Sequence, residues 1–320
     1  MAATRFRMAA VLRSARRTWW AFPLLLIPTG FVLACLWLTA PLNEGGSVPP
    51  PDVVAIAFKN PVVRLPTGVD APDSAKPVPV WPDTRIEGAP AKVLLLDALL
   101  HAADRLNRVS AYTATFSKQE RIGNKLGPVQ TLELKVRHRP FAIYLKFLSP
   151  VAGKEVVYAE GLHDNKMIAH GGGLARFLVP RLAVAPDHPI ALKDSRHAVT
   201  EAGLANLAAK LIAYRRMDLD DEEAVTILDR VTDAKGRPRL RSLHTHSDPT
   251  ANRPFTRVEV LYEPETFFPV QIHSYDWPAP GKGGDLLLAE FYAYEDLVLD
   301  APLTTIDFDP ANPSYAFHRY

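Results

Sequence analysis

The sequence predicts an α+β protein: a curved antiparallel sheet or unclosed half-barrel of about ten strands, two helices on its concave side, and one N-terminal transmembrane helix. Three observations carry this reading. Between residues 111 and 294, short segments of alternating apolar and polar residues recur between proline or glycine turns, the pattern of meandering strands. Two longer segments repeat apolar residues at helical spacing. Near the N terminus, the 22 residues Trp19–Ala40 carry no charge, and about 20 residues suffice to cross a hydrocarbon core as a helix.

Taken in order, residues 1–18 form a basic tail. Arg5, Arg7, Arg13, Arg16 and Arg17 stand there without an acid, so the positive-inside rule keeps this tail in the cytoplasm and sends the C-terminal body across. Setting those five arginines aside leaves 32 basic against 35 acidic residues; the body has no electrostatic footprint for nucleic acid. Trp19, Trp20 and Trp37 lie near the two ends of the apolar run, where indoles favour the membrane interface. An uncleaved signal anchor over 19–40 fits best, because the run exceeds an ordinary signal h-region. A cleaved signal and a lipoprotein signal at Val32-Leu33-Ala34-Cys35 stay open, although apolar residues continue past the cysteine. Cys35 is the sole cysteine, so the body forms no disulfide and no thiolate metal site. The reading is therefore a single-pass protein of the inner membrane with its C-terminal domain in the periplasm, needing no cofactor.

Residues 41–90 hold eleven prolines and no surviving period, which predicts a Pro-rich disordered linker. As polyproline II its reach is on the order of 150 Å, at ~3.1 Å per residue. One domain, 91–320, follows. Leu95, Leu96, Leu99, Ala103 and Leu106 make a helical stripe ending near Val109-Ser110. Strands are expected at Ala111–Ile122, Thr131–Arg137, Phe141–Pro150, Val156–Gly161 and Asn165–His170. Pro180, Pro186 and Pro189 predict an irregular stretch. A second helix spans Gly203–Arg216, with Leu204, Leu207, Ala208, Leu211 and Ile212 on one side. Five more strands follow: Ala224–Val231, Arg239–His246, Phe255–Tyr262, Val270–Tyr275 and Asp285–Tyr294.

The central pair of strands organises the rest. Phe141, Ile143, Leu145 and Phe147 face one way; Ala142, Tyr144, Lys146 and Leu148 face the other. The first face is wholly apolar, and the second is still sticky. Taken with the preceding helix, the run Tyr112-Thr113-Ala114-Thr115-Phe116-Ser117-Lys118-Gln119-Glu120-Arg121, the run Arg137-His138-Arg139-Pro140-Phe141-Ala142-Ile143-Tyr144 and the run Glu155-Val156-Val157-Tyr158-Ala159-Glu160-Gly161 resemble a bacterial family of unknown function, DUF1571, over roughly 92–300. More loosely, Tyr112, Ala114, Phe116, Arg139, Pro140 and Gly161 match the pattern of the lipoprotein-sorting proteins LolA and LolB. That resemblance implies an unclosed half-barrel whose helices plug an apolar cavity for acyl chains. The anchor and long linker depart from the soluble carrier and favour a tethered receptor or sensor.

Such a half-barrel places Phe116, Leu134, Phe141, Ile143, Leu145, Phe147 and Tyr158 near the ligand space, with Leu207 and Leu211, beside Leu204, as its lid. For any single one of them, ordinary core packing is the simpler role. The partners expected are the membrane through 19–40, a lipid or lipoprotein acyl chain, or an envelope protein. Were the core filled, the sheet would instead be an interaction module without a cavity. Catalytic and metal signals are weak. His244 and His246 share a strand face near Asp248, but no fourth ligand is identifiable, so a solvated strand face is expected. His163, His170, His188 and His197 fall in loop-like sequence. Asp218–Glu223 reads as a solvated acidic turn, since Glu223 stands where a calcium loop needs glycine. Gly171-Gly172-Gly173 lacks the Gly-Lys-Ser/Thr of a phosphate cradle, and no Gly-x-Ser-x-Gly or His-Glu-x-x-His occurs. No catalytic or metal residue is therefore assigned.

The anchor reading is checked by removing residues 1–40. The shortened chain should fractionate as a soluble protein; persistent membrane attachment would contradict a single N-terminal anchor.

Overall fold

Alternation along the chain translates into thirteen strands of one sheet and three helices in a computed structural model, which describes residues 77–173, 181–247, 249, 253–278 and 285–318. The basic tail 1–18, the apolar run 19–40 and most of the linker lie outside the described residues. Among the described residues no helix is long and apolar enough to cross a membrane.

The chain enters with β1 (Ile86–Glu87) and α1 (Ala89–Arg108). A first meander follows: β2 (Ala111–Ile122), β3 (Lys125–Leu126), β4 (Gln130–Arg137), β5 (Ala142–Ser149), β6 (Glu155–Ala159), β7 (Met167–His170) and β8 (Leu182–Val184). The one-turn α2 (Pro189–Leu192) and the longer α3 (Leu204–Leu219) lead to a second meander. Its strands are β9 (Val225–Thr232), β10 (Pro238–Thr245), β11 (Arg257–Tyr262), β12 (Pro269–Asp276) and β13 (Leu287–Leu299). The sheet order is β1-β9-β10-β11-β12-β13-β2-β4-β5-β6-β7-β8, with β3 hairpinned onto β2. Every pairing is antiparallel, and among the described residues β1 and β8 are the edge strands, each paired on one side. The sheet is thus unclosed, and a twisted open sheet of more than about ten strands curls. The two meanders are joined where β13 pairs with β2, Tyr294 opposite Phe116 and Leu299 opposite Tyr112.

The helices share the inner face. α1 begins with Pro90 in its first turn, where a missing N–H is harmless. It buries Leu95, Ala98, Leu99, Ala102 and Leu106 against the same core as Tyr112, Leu134, Val136, Leu204 and Leu211. α3 is held by its first amides. Leu204 N–H donates to the Tyr112 hydroxyl at 2.8 Å, and Gly203 N–H to the Tyr294 hydroxyl at 3.2 Å. Helix-start amides have no partner within the helix, so two buried phenols replace the missing acceptors. Gly203 sits at φ 104, and a Cβ there would stand 3.1 Å from the Tyr112 hydroxyl; glycine meets both constraints.

The outer face of β4–β7 is also covered, which alternation alone did not foretell. Ala142, Tyr144, Val157, Ala159 and Ile168 pack with Phe308, Tyr315 and Phe317 of the C-terminal tail. Tyr144 and Tyr315 stack with centroids 4.0 Å apart. Lys135 pairs with Asp307 at 3.0 Å, and Glu155 accepts both the His170 imidazole at 3.0 Å and the Ala316 N–H at 2.9 Å. The tail therefore occupies the sticky second face of the central strands.

Three expectations need correction. The domain begins before residue 91: Trp81 is buried, its indole donates to the Asp229 carbonyl at 3.1 Å, and Ile86 pairs with Leu228. Proline density signals the loss of helix, but it does not preclude a packed extended arm. The described part of the proline-punctuated stretch, from Arg181 on, is less irregular than expected, since it contains β8 and α2. Finally, His244 and His246 are buried rather than solvated. His244 hydrogen-bonds Thr226 and Ser242 at 3.1 and 2.9 Å, and His246 contacts Asp218 at 3.2 Å. They face the inner layer, where α3 excludes water.

Replacing Tyr112 by Phe leaves the buried Leu204 amide without its acceptor. The expected loss is about 1–3 kcal/mol of stability, read as a lower urea midpoint; an unchanged midpoint would show that the phenol does not hold α3.

Candidate functional site: an apolar cavity under helix α3

The inner layer is not filled evenly. A cavity of ≈ 820 Å³ lies among β2, β4–β8, α3, the 186–202 segment and the inner faces of β11–β13, and no α1 side chain lines it. Cross-strand register builds its floor. Phe116, Leu132 and Phe147 stand opposite one another across β2, β4 and β5, and Leu145, Val156, Ala169 and Leu182 continue the next row across β5–β8. Leu207 and Leu211 of α3 roof these rows, with Val258 and Ile272 on the far wall. Ligand pockets usually fall between about 300 and 1,000 Å³ and are mostly apolar, and this one agrees on both counts.

Of the residues expected from sequence to line the space, Phe116, Leu145, Phe147, Leu207 and Leu211 do so. Leu134, Phe141, Ile143 and Tyr158 do not; they pack into the inner core further along the strands, as does Leu204. Face and depth are separate questions, and alternation answers only the first. Leu132, Val156, Met167, Val258 and Ile272 were not foreseen as lining residues.

One wall is polar and was missed entirely. Glu120 and Glu290 stand directly opposite each other on β2 and β13, an arrangement that destabilises a sheet unless the charges are neutralised. Neutralisation comes from several sides. Lys118 pairs with Glu120 at 2.9 Å, Tyr292 donates its hydroxyl to Glu120, and Ser274 donates to Glu290 at 3.1 Å. The segment before α3 supplies the rest. His197 donates to Glu290 at 2.8 Å, the Arg196 guanidinium approaches the same carboxylate at 3.5 Å, and Ser195 receives Lys118 at 3.2 Å. His197 also faces Glu201 at 3.4 Å, itself 3.8 Å from Lys210 of α3. The network thereby fastens the covering segment to the sheet.

The charges follow from this geometry. Burial alone would pull the His197 imidazole down, but its hydrogen bonds to Glu201 and Glu290 and the Glu290 charge raise it to about 9. Burial pushes the Glu290 carboxyl up, and the His197 contact outweighs it, leaving the group below the ordinary carboxylate value. Burial and the two carboxylates hold the Tyr292 phenol far above its usual range. Inward parity was the available signal: Lys118 and Glu120 continue the Tyr112-Ala114-Phe116 face of β2, while Glu290 and Tyr292 continue the Tyr294 face of β13.

A second ionic group lies at the C-terminal end of α3. Asp218, expected to be solvated, is 1% exposed, forms ion pairs with Arg253 at 2.9 Å and Arg215 at 3.1 Å, and hydrogen-bonds His246 at 3.2 Å. Burial pushes its carboxyl up, but the His246 hydrogen bond and the Arg215 charge leave it below the usual value. Asp220, Glu222 and Glu223 remain exposed. Among the described residues no group of three or more His, Cys, Asp or Glu could hold a metal ion.

Fold and site together define an unclosed antiparallel sheet whose inner face and helical roof line a largely apolar, partly open space. Residues 109–317 match the family described as protein of unknown function (DUF1571), and the chain belongs to that family. No curated protein matches the chain. Similar solved structures include a DUF1329 family protein from Desulfovibrio piger, at 12% identity, 69% of this chain, 98% of that one and a TM-score of 0.34. The lipoprotein LppX from Mycobacterium tuberculosis is similar at 13% identity, 69% of this chain, 100% of that one and a TM-score of 0.33. A LolA superfamily protein from Nitrosomonas europaea is similar at 8% identity, 66% of this chain, 96% of that one and a TM-score of 0.28.

Because the folded His197 value lies above the unfolded value of about 6.5, its stabilising contribution is complete below 6.5 and is lost as pH rises through about 9. Stability of the wild type should therefore fall between roughly pH 7 and 10, and less steeply in His197→Gln, as measured by urea unfolding. Equal slopes would contradict the ion-pair assignment.

Proposed function

We propose that this chain is a membrane-anchored protein whose extracytoplasmic domain receives a lipid, an acyl chain or another apolar ligand in cell-envelope or lipoprotein handling. The observation that carries the reading is the cavity of ≈ 820 Å³, floored by Phe116, Leu132, Leu145 and Phe147 and roofed by Leu207 and Leu211. An apolar space of that size forfeits dispersion contacts along its walls unless an apolar molecule fills it, which supports a ligand-binding function. The alternative of a cavity-free interaction module is less favoured for the same reason. The anchor over 19–40, the periplasmic setting and the Pro-rich tether that precedes the packed Trp81 belong to this proposal and rest on the charge, hydropathy and proline content of the sequence. No catalytic role is proposed: the acids and His197 on the polar wall engage one another.

The test is native mass spectrometry of the full chain held in amphipol after purification. Bound lipid should be released from the wild type. Leu207→Trp, which pushes an indole into the cavity, should abolish most of that lipid with little change in urea midpoint. Lipid loading unaffected by the substitution would contradict the site, and wild-type protein free of any apolar ligand would contradict the function.

A further inference from the structure

Resting on the apolar-ligand reading, the structure assigns a chemistry to the ligand's polar end: we infer that Lys154 receives an oxyanion head group, a carboxylate or a phosphate, of an amphiphile whose tail lies in the cavity. Lys154 precedes β6 with the same inward parity as Val156 and Tyr158, and it lines the cavity. Its ammonium lies over the Phe147 ring, 4.7 Å from the centroid. The acids of the polar wall are already engaged: Glu120 with Lys118, Glu290 with His197 and Arg196, Glu201 with His197 and Lys210. Arg215 and Arg253 are held by Asp218. Among the described residues lining the cavity, Lys154 is the half-buried cation left without an ion pair.

The electrostatics agree. Burial, then repulsion from Lys118, pull the Lys154 ammonium below its ordinary value, and the charge of exposed Asp194 offsets them only in part. A ring face compensates a desolvated ammonium incompletely. An oxyanion beside Nζ would neutralise it and relieve the Lys118 repulsion, while the tail reached Phe147, Leu132 and Leu145. Snorkelling of the lysine stem to solvent is the competing explanation, and it predicts no preference for charge in a ligand.

The experiment uses the full chain in amphipol and three probes of equal chain length: hexadecanoate, hexadecyl phosphate and the neutral methyl hexadecanoate. Each displaces a neutral fluorescent apolar reporter. At least one anion should bind the wild type roughly ten- to hundredfold tighter than the ester, the increment of a charge-assisted hydrogen bond. The tighter of the two separates a fatty carboxylate from a phosphate head group. Lys154→Met should erase that preference while keeping ester affinity, and Lys154→Arg should retain it. Equal affinities in the wild type, or a preference surviving in Lys154→Met, would overturn the head-group assignment and leave the apolar site standing. Failure of all three probes, ester included, would overturn both.

Discussion

Two phenols at the seam of the sheet hold the architecture together. Tyr112 of β2 and Tyr294 of β13 belong to the strands that join the two meanders, and their hydroxyls accept the first amides of α3. A helix lying across an inner sheet face needs acceptors for its N-terminal amides, because water is absent there. Supplying them from the sheet fixes where α3 starts. Gly203 is the residue that can turn the chain at that point. Once its start is fixed, the helix packs along α1 and against β12, and its Leu207 and Leu211 line the cavity. α1 fills the layer on its own side with Leu95, Leu99 and Leu106, and among the described residues nothing equivalent fills the rows of Leu132, Leu145 and Phe147.

The polar wall has a related cause. Opposed carboxylates at Glu120 and Glu290 would drive β2 and β13 apart at the same seam. They are instead neutralised by Lys118 from within the sheet and by Arg196 and His197 from the segment leading into α3. The segment lying over the seam thus supplies part of its neutralisation. A fold arranged in this way couples the cover of the cavity to the integrity of the sheet, and it leaves an amphipathic interior: apolar rows on one side, ions on the other.

Much of this was legible in the sequence, for physical reasons that also explain the failures. Strand parity is local, so the inward faces of β2, β4 and β5 and the antiparallel meander followed from alternation. The stripes Leu95–Leu106 and Leu204–Ile212 marked both long helices within a turn. Depth along a strand is not local: Ile143 and Leu145 share a face, yet Ile143 packs in filled core and Leu145 borders the cavity. Two- and three-residue edges such as Ile86–Glu87 and Leu182–Val184 are too short to show a period. The C-terminal tail has none at all, although Phe308, Tyr315 and Phe317 close the outer face. The buried imidazoles and Asp218 looked solvated because a polar residue on an inward face betrays its partners only in three dimensions.

The account stands on an inner space that admits an aliphatic chain under α3. A crystal structure of the protein grown with a terminally brominated fatty acid tests this directly. The anomalous bromine signal should lie among Phe116, Leu132, Phe147 and Leu211. A cavity closed by Leu207 and Leu211 resting on the β4–β5 floor, with no bromine within it, would contradict the account.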